Sequence, residues 1–357
     1  MIRFTDMNDT IFNQRQLAIL ELLRSGDSLS RSAIIESLSL TQSVASITVI
    51  RDLRDLVDRG MLESIGRARA TLYLLSQQNP TLRYINMRAY FSKSLDVRDV
   101  KVAFDRNIFS HLKTLYNADE RRLWDESAAL FQKQKKVLSP MTYKREIERF
   151  LIDFAWKSSQ IEGNTYDLIE TETLLKDKIR ARGHSEEEAT MLVNHKDAFE
   201  FIQKHEGSFR KNLTENLVLQ LHQKLIEGLG VPVGIRREQV RITGTRYIPP
   251  SGHVKLAPLF EDVIHSINRA PYAPDKALIA SSLLAYLQPF ADGNKRTSRM
   301  LANALLIAHG YYPLSYRDID ATEYRKAIIL IYEQNNLYHI KRLCMEQRRF
   351  AVDNYFR

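Results

Sequence analysis

Between Gln288 and Arg299 the chain reads QPFADGNKRTSR, and this stretch gathers residues that can hold a phosphate. Ile279 to Leu287, just before it, is apolar and helical, and Pro289 ends that helix. Ala291-Asp292-Gly293-Asn294 reads as a turn, with a second helix from about Lys295 through Met300, Leu301, Ala304 and Leu305. A glycine turn that runs into a helix start presents backbone N–H groups without intrahelical partners, which is an anion site. Asp292 offers a hard oxygen ligand for Mg²⁺. Arg296 and Arg299 stand three apart, on one helical face, aimed at the same anion. The parts add up to a site for a magnesium-bound nucleotide phosphate.

The same stretch resembles the signature of the Fic family, H-P-F-x-D-G-N-G/K-R-x-x-R. Every defined position matches except the first, where Gln288 stands in place of histidine. The resemblance implies a protein adenylyltransferase, which moves AMP from ATP to a protein hydroxyl. It assigns Asp292 to Mg²⁺, and Gly293, Asn294 and the backbone of Lys295 to the phosphate cradle. Arg296 and Arg299 would grip the terminal phosphates, and position 288 would hold the general base. A carboxamide orients a hydroxyl but does not take its proton near neutral pH, and losing a general base costs about 10²–10⁴-fold. Lys295 is a second departure, since many adenylylating members have glycine there. Members with lysine that act as kinases also lose the preceding glycine; Gly293 is kept here, so the adenylyl-transfer orientation of ATP is expected.

Upstream, Ser158-Ser159-Gln160-Ile161-Glu162-Gly163 ends a helix whose apolar face is Ile147, Phe150, Leu151 and Phe154. Ser158 and Glu162 share a helical face, and Gly163 suits a helix C-cap. A carboxylate at a helix C-terminus is electrostatically unfavourable, so its placement calls for a cationic partner. The segment resembles the family's inhibitory motif, S/T-x-x-x-E-G/N, by which Glu162 would pair with Arg299 and block the γ-phosphate. Residues 236–250, RREQVRITGTRYIPP, read as a β-hairpin around Gly244. They resemble the family's flap, with Val240, Ile242, Gly244 and Tyr247 binding the target as an added strand. His253, just beyond, is a conceivable replacement base. Asn194, His195 and His222 read as core or helix-surface residues.

The elements that must position these residues are nearly all helical. The expected fold is mainly α: a Fic helical bundle with its hairpin flap, plus a small N-terminal domain. Residues 13–24, 30–38 and 42–59 read as three helices, followed by a β-like run from Ala70 to Leu75. That outline resembles a winged helix-turn-helix of the DeoR-like sort. Gln42, Ser43, Ser46 and Arg51 would face DNA from the third helix, and Arg67 and Arg69 from the wing. A protein-docking module is the alternative use of such a domain. The expected boundaries are 1–80 for this domain, 81–139 for a mostly helical connector, 140–330 for the Fic domain and 331–357 for C-terminal helices. The last carry an optional homodimer surface.

Of 357 residues only one is cysteine, Cys344, which excludes a disulfide framework and fits a cytoplasmic protein. No run approaches the roughly 18 apolar residues that would span a membrane. The formal net charge of +9 favours polyanionic partners. Expected cofactors are ATP and Mg²⁺; expected partners are a protein carrying a target hydroxyl and, through residues 1–80, DNA. Two readings stay open: an inhibited adenylyltransferase slowed by Gln288, or a nucleotide-binding pseudoenzyme or DNA-binding regulator.

Overall fold

Many helix starts in this chain are set by side-chain caps. In the computed structural model, which describes residues 12–23, 28–39, 45–66, 68–76 and 79–357, Asn117, Ser139, Asp167, Ser185, Thr214 and Asp320 each accept a backbone N–H from a first helical turn. Each cap satisfies one of the donors that a helix start leaves without a partner. The chain divides into two compact units, one up to Arg98 and one from Asp99 on.

The first unit opens with α1 (Gln14–Leu22), whose capping box joins Asn13 and Gln16. There follow β1 (Leu29–Ser30), α2 (Arg31–Ser39), α3 (Ser46–Asp58), β2 (Leu62–Ile65) and β3 (Leu72–Leu75). The strands form one antiparallel sheet in the order β1-β3-β2. Ile19, Leu20, Ile34, Val49, Leu53 and Leu56 are buried at helical spacing, so each helix turns one apolar face inward. A short α4 (Met87–Phe91) and a 3₁₀ turn (Leu95–Val97) follow. The third helix starts at Ser46 in the structure; its expected start at Gln42 lies outside the described residues.

The second unit is a helical bundle. α5 (Ala118–Val137), α6 (Pro140–Ile161), α7 (Leu168–Asp177), α8 (Glu186–Lys204), α9 (Glu206–Lys211) and α10 (Glu215–Ile226) precede the signature region. α11 (His253–Arg269), α12 (Ala273–Leu287), α13 (Asn294–Ala308), α14 (Ala321–Gln334) and α15 (Tyr338–Asn354) complete it. Every residue of α12 except Lys276 is buried, as befits a helix apolar on all sides, and α12 packs most extensively on α13. This central pair carries the signature loop at its turn. No described helix is long and apolar enough to cross a membrane.

Within residues 81–139, short 3₁₀ turns run between α4 and α5, and Ala118–Val137 is the long helix. One expectation is corrected. Residues 236–250 form no hairpin. They run as irregular backbone with a single isolated bridge, Ile248 to Ala103, which is parallel. Tyr247, expected to face a target, is 1% exposed and donates its hydroxyl to Tyr286 O at 2.8 Å. The aromatic ring prefers the stack with Tyr286 and Tyr332 to a place on an exposed strand.

Candidate active site

The turn between α12 and α13 is a six-residue loop, 288–293, with left-handed backbone at both ends. Gln288 has φ 52° and Gly293 φ 77°. A Cβ at Gly293 would lie 3.1 Å from Ile226 and 3.5 Å from His222 Nε2, so both backbone and space demand glycine. Asn294 closes the loop on itself: its Nδ2 donates to Phe290 O at 2.8 Å and its Oδ1 accepts from Phe290 N at 2.9 Å. α13 then begins with no side chain capping its first N–H groups. Those donors are left for an anion.

His222, set aside in the sequence, braces this loop from α10. Its ring stacks on Phe290 at 3.8 Å. Its Nε2 lies 3.0 Å from Asp292 O, and a carbonyl only accepts, so Nε2 carries the proton. Burial lowers the pKa of His222 to about 4, which keeps the ring neutral. No local sequence pattern marks this role, because the partner lies 70 residues on.

Arg296 is 2% exposed and spans the loop, donating to Leu225 O at 3.2 Å and to Asp292 Oδ2 at 2.7 Å. The Asp292 side chain is 67% exposed, so it can turn from Arg296 to a cation. Arg299 is fully buried. Its Nε donates to Ser158 Oγ at 3.0 Å, its Nη2 to Ser158 O at 2.8 Å and its Nη1 to Glu162 Oε1 at 2.9 Å. Its guanidinium also lies over the Tyr324 ring at 5.3 Å.

Ser158 is in turn oriented by His195 of α8. His195 Nδ1 donates to Met191 O at 2.8 Å, which leaves Nε2 as an acceptor for the Ser158 hydroxyl at 2.9 Å. The lone pairs of Ser158 Oγ then face Arg299. Burial lowers the His195 pKa to about 3, so the polarity of this chain of bonds is fixed across the neutral range.

Glu162 is the C-cap of α6 and receives two cations. Besides Arg299, Lys295 Nζ reaches its Oε2 at 2.6 Å. Burial alone would raise the pKa of this carboxyl, but Arg299 and Lys295 outweigh it and hold the group at about 2. The sequence places Glu162 against Arg299; the hold by Lys295, one turn earlier on α13, is new.

Gln288 is 8% exposed. Its Nε2 donates to Ala285 O at 2.7 Å and lies 3.4 Å from the Tyr332 hydroxyl. It borders a cavity of about 220 Å³ whose other walls include Glu162, Met191, Val240, Arg241 and the loop from Ala291 to Arg296. His253 begins α11, is exposed, and does not line this cavity.

Arg236 pins the 236–250 segment onto the loop. It donates from Nε to Gln288 O at 2.7 Å and from Nη2 to Pro250 O at 2.6 Å, and Nη1 bonds Glu238 O. One buried guanidinium thus ties both ends of the segment to Gln288. Of the expected flap residues, Val240 lines the cavity and Ile242 and Gly244 lie on the irregular stretch, whereas Tyr247 points inward.

Residues 212–306 match the Fic/DOC family. The match holds α10, the 236–250 segment, the signature loop and most of α13, and begins after Glu162. The chain is 31% identical over 180 residues to the protein adenylyltransferase Fic of Aedes aegypti, covering 49% of this chain and 36% of that protein. For the protein of the same name from Drosophila willistoni the figures are 31% over 208 residues, 55% and 40%. The chain thus spans well under half the length of these curated relatives. Among solved structures, a Fic family protein from Desulfovibrio desulfuricans G20 superposes with a TM-score of 0.55 at 20% identity, over 68% of this chain and 75% of that one. A Fic-1 fragment from C. elegans gives 0.53 at 19%, over 66% and 71%. The structural likeness is one of fold.

Of the residues expected in the first unit, Ser46 and Arg51 are exposed on α3. Gln42, Ser43 and Arg67, and the side chain of Arg69, lie outside the described residues.

Proposed function

We propose that this chain is a Fic-type protein adenylyltransferase, held off by Glu162 and slowed by Gln288. The observation that carries the reading is the Glu162–Arg299 pair at 2.9 Å, set against a cradle otherwise built for phosphate. A buried arginine is costly unless it is paired, and the pairing carboxylate occupies the place a terminal phosphate needs. ATP is the substrate that fits: the uncapped start of α13, Arg296 and, once Glu162 withdraws, Arg299 and Lys295 supply its phosphate contacts. Asp292 would hold Mg²⁺, which would supply positive charge against the phosphate oxygens.

In the reaction the target hydroxyl oxygen bonds the α-phosphorus, the bond to the β-phosphate oxygen breaks, and pyrophosphate leaves. Gln288 accepts a hydrogen bond from the hydroxyl but leaves its proton for solvent to remove. The segment around Val240 and Ile242 would lay the target along the cavity by backbone pairing. The test is incorporation of label from ATP into protein by Glu162→Gly, with calorimetric ATP binding beside it. Absence of ATP binding by Glu162→Gly would end this reading.

A second reading concerns the first unit. The order α1-β1-α2-α3-β2-β3, with a sheet ordered β1-β3-β2, supports a winged helix-turn-helix. With Ser46 and Arg51 exposed on α3, the unit would bind duplex DNA, making the chain a nucleotide-sensing regulator. Gel shifts at rising salt test this, since phosphate contacts release counterions and weaken steeply with salt.

A further inference from the structure

The charge beside the cavity is one-sided. From Gly228 to Phe260 the chain has five cationic residues, Arg236, Arg237, Arg241, Arg246 and Lys255, against one acidic residue, Glu238. Arg236 is consumed in pinning the segment and is 3% exposed. Arg237 and Arg241 are exposed, and among the described residues neither guanidinium has an ion-pair partner. Arg241 lines the cavity itself, next to Val240. Two unpaired arginines on a stretch anchored at both ends, one of them lining the cavity, keep a positive field beside it.

The backbone there is only partly spent, on a bond from Gln239 Nε2 to Val240 O at 3.0 Å. Val240, Arg241, Ile242 and Thr243 make no backbone–backbone hydrogen bond among the described residues. Beyond them, Ile248 already donates to Val102 O at 2.9 Å, so the segment does accept a neighbouring extended chain where one is present.

Resting on the adenylyltransferase reading, we propose that the target is an extended protein segment with acidic side chains flanking its hydroxyl, read by Arg237 and Arg241. Open N–H and C=O groups suit a peptide, which pairs with them in register, whereas a nucleic acid has no such backbone to offer. Acidic residues of the target spaced two apart fall on one side of an extended chain, as Arg237 and Arg241 do if the stretch straightens on pairing.

The experiment is fluorescence anisotropy on the full chain in low salt. The probes are labelled twelve-residue peptides with a central tyrosine: one flanked by glutamates, one by glutamines, one by lysines, with a single-stranded DNA oligonucleotide alongside. The acidic peptide should bind at least about 5-fold more tightly than the neutral one, the scale of two exposed ion pairs, with the gap closing as salt rises. Arg237→Gln/Arg241→Gln should abolish that gap. Arg237→Glu/Arg241→Glu should reverse it in favour of the lysine peptide, which loss of folding would not do. Equal binding of acidic and neutral peptides, no change in either variant, or Arg-dependent binding of the oligonucleotide as tight as that of the acidic peptide would each overturn the proposal. ATP binding by Glu162→Gly is read separately, so failure of the adenylyltransferase reading shows there and failure of the acidic-target proposal shows here.

Discussion

Lys295 and Arg299, one turn apart on α13, hold the two oxygens of a single carboxylate, that of Glu162. Lys295 Nζ lies 2.6 Å from Oε2, and Arg299 Nη1 lies 2.9 Å from Oε1. Glu162 therefore engages two cations of α13 at once, and its removal frees both.

ATP affinity should report that release. Glu162→Gly is expected to bind ATP–Mg²⁺ at least about 10-fold more tightly than the parent chain, since charge-assisted bonds of this kind contribute about 1.5–3 kcal/mol each. Isothermal calorimetry on the two proteins decides it. Unchanged affinity would mean that the carboxylate does not compete with phosphate.

The acid limb of stability should also carry the Glu162 signature. Its pKa is lowered from an ordinary 4.5 to about 2 in the folded chain. A lowered carboxylate contributes stability that is fully present above about pH 4.5 and drains away as pH falls toward 2. The shift corresponds to about 3 kcal/mol. Thermal melts of the parent and of Glu162→Gln, taken from pH 7 down to pH 3, should therefore converge as pH falls. Parallel curves would show that the pair holds no such linkage.

How much of this was legible in the sequence depends on how local each feature is. The signature loop, Glu162 and the helical bundle are written in short-range spacing: i, i+3 arginines, a helix-ending glutamate, runs at helical period. The partners of Ser158, His195 and His222 are long-range contacts that no single stretch encodes. Tyr247 shows the limit of a local β pattern. RITGTRYI is rich in β-favouring residues, yet burial of one aromatic ring against Tyr286 and the pinning of both ends by Arg236 outweigh that propensity.

His222 offers a test of the brace it forms. His222→Ala removes the stack on Phe290 and the bond to Asp292 O, and should cost about 1–3 kcal/mol in denaturant unfolding. ATP affinity of Glu162→Gly should fall further when His222→Ala is added, because the loop that presents the α13 N–H groups is then free to shift. A stability loss with no change in affinity would make His222 a core residue and nothing more.

The last prediction concerns Gln288. Its left-handed backbone and the donation of its Nε2 to Ala285 O at 2.7 Å show how the position is held. An imidazole placed there can give one ring N–H to the same carbonyl, which fixes its tautomer and leaves the other nitrogen as an acceptor. That is the arrangement a general base requires, and the carboxamide lacks it because neither of its polar atoms takes up a proton near neutral pH. On the proposed reading phosphate contacts would come from other groups, namely the start of α13, Arg296 and Arg299, with Asp292 left to the metal. Gln288→His in the Glu162→Gly background should therefore raise AMP transfer by about 10²-fold, the scale of a restored general base, while nucleotide affinity changes much less. Label incorporation from ATP, measured beside calorimetric binding, separates the two quantities. Equal, robust transfer with glutamine or histidine at 288 would show that proton removal there does not limit the reaction. A rise in transfer matched by an equal rise in affinity would place the effect of position 288 in binding rather than in chemistry.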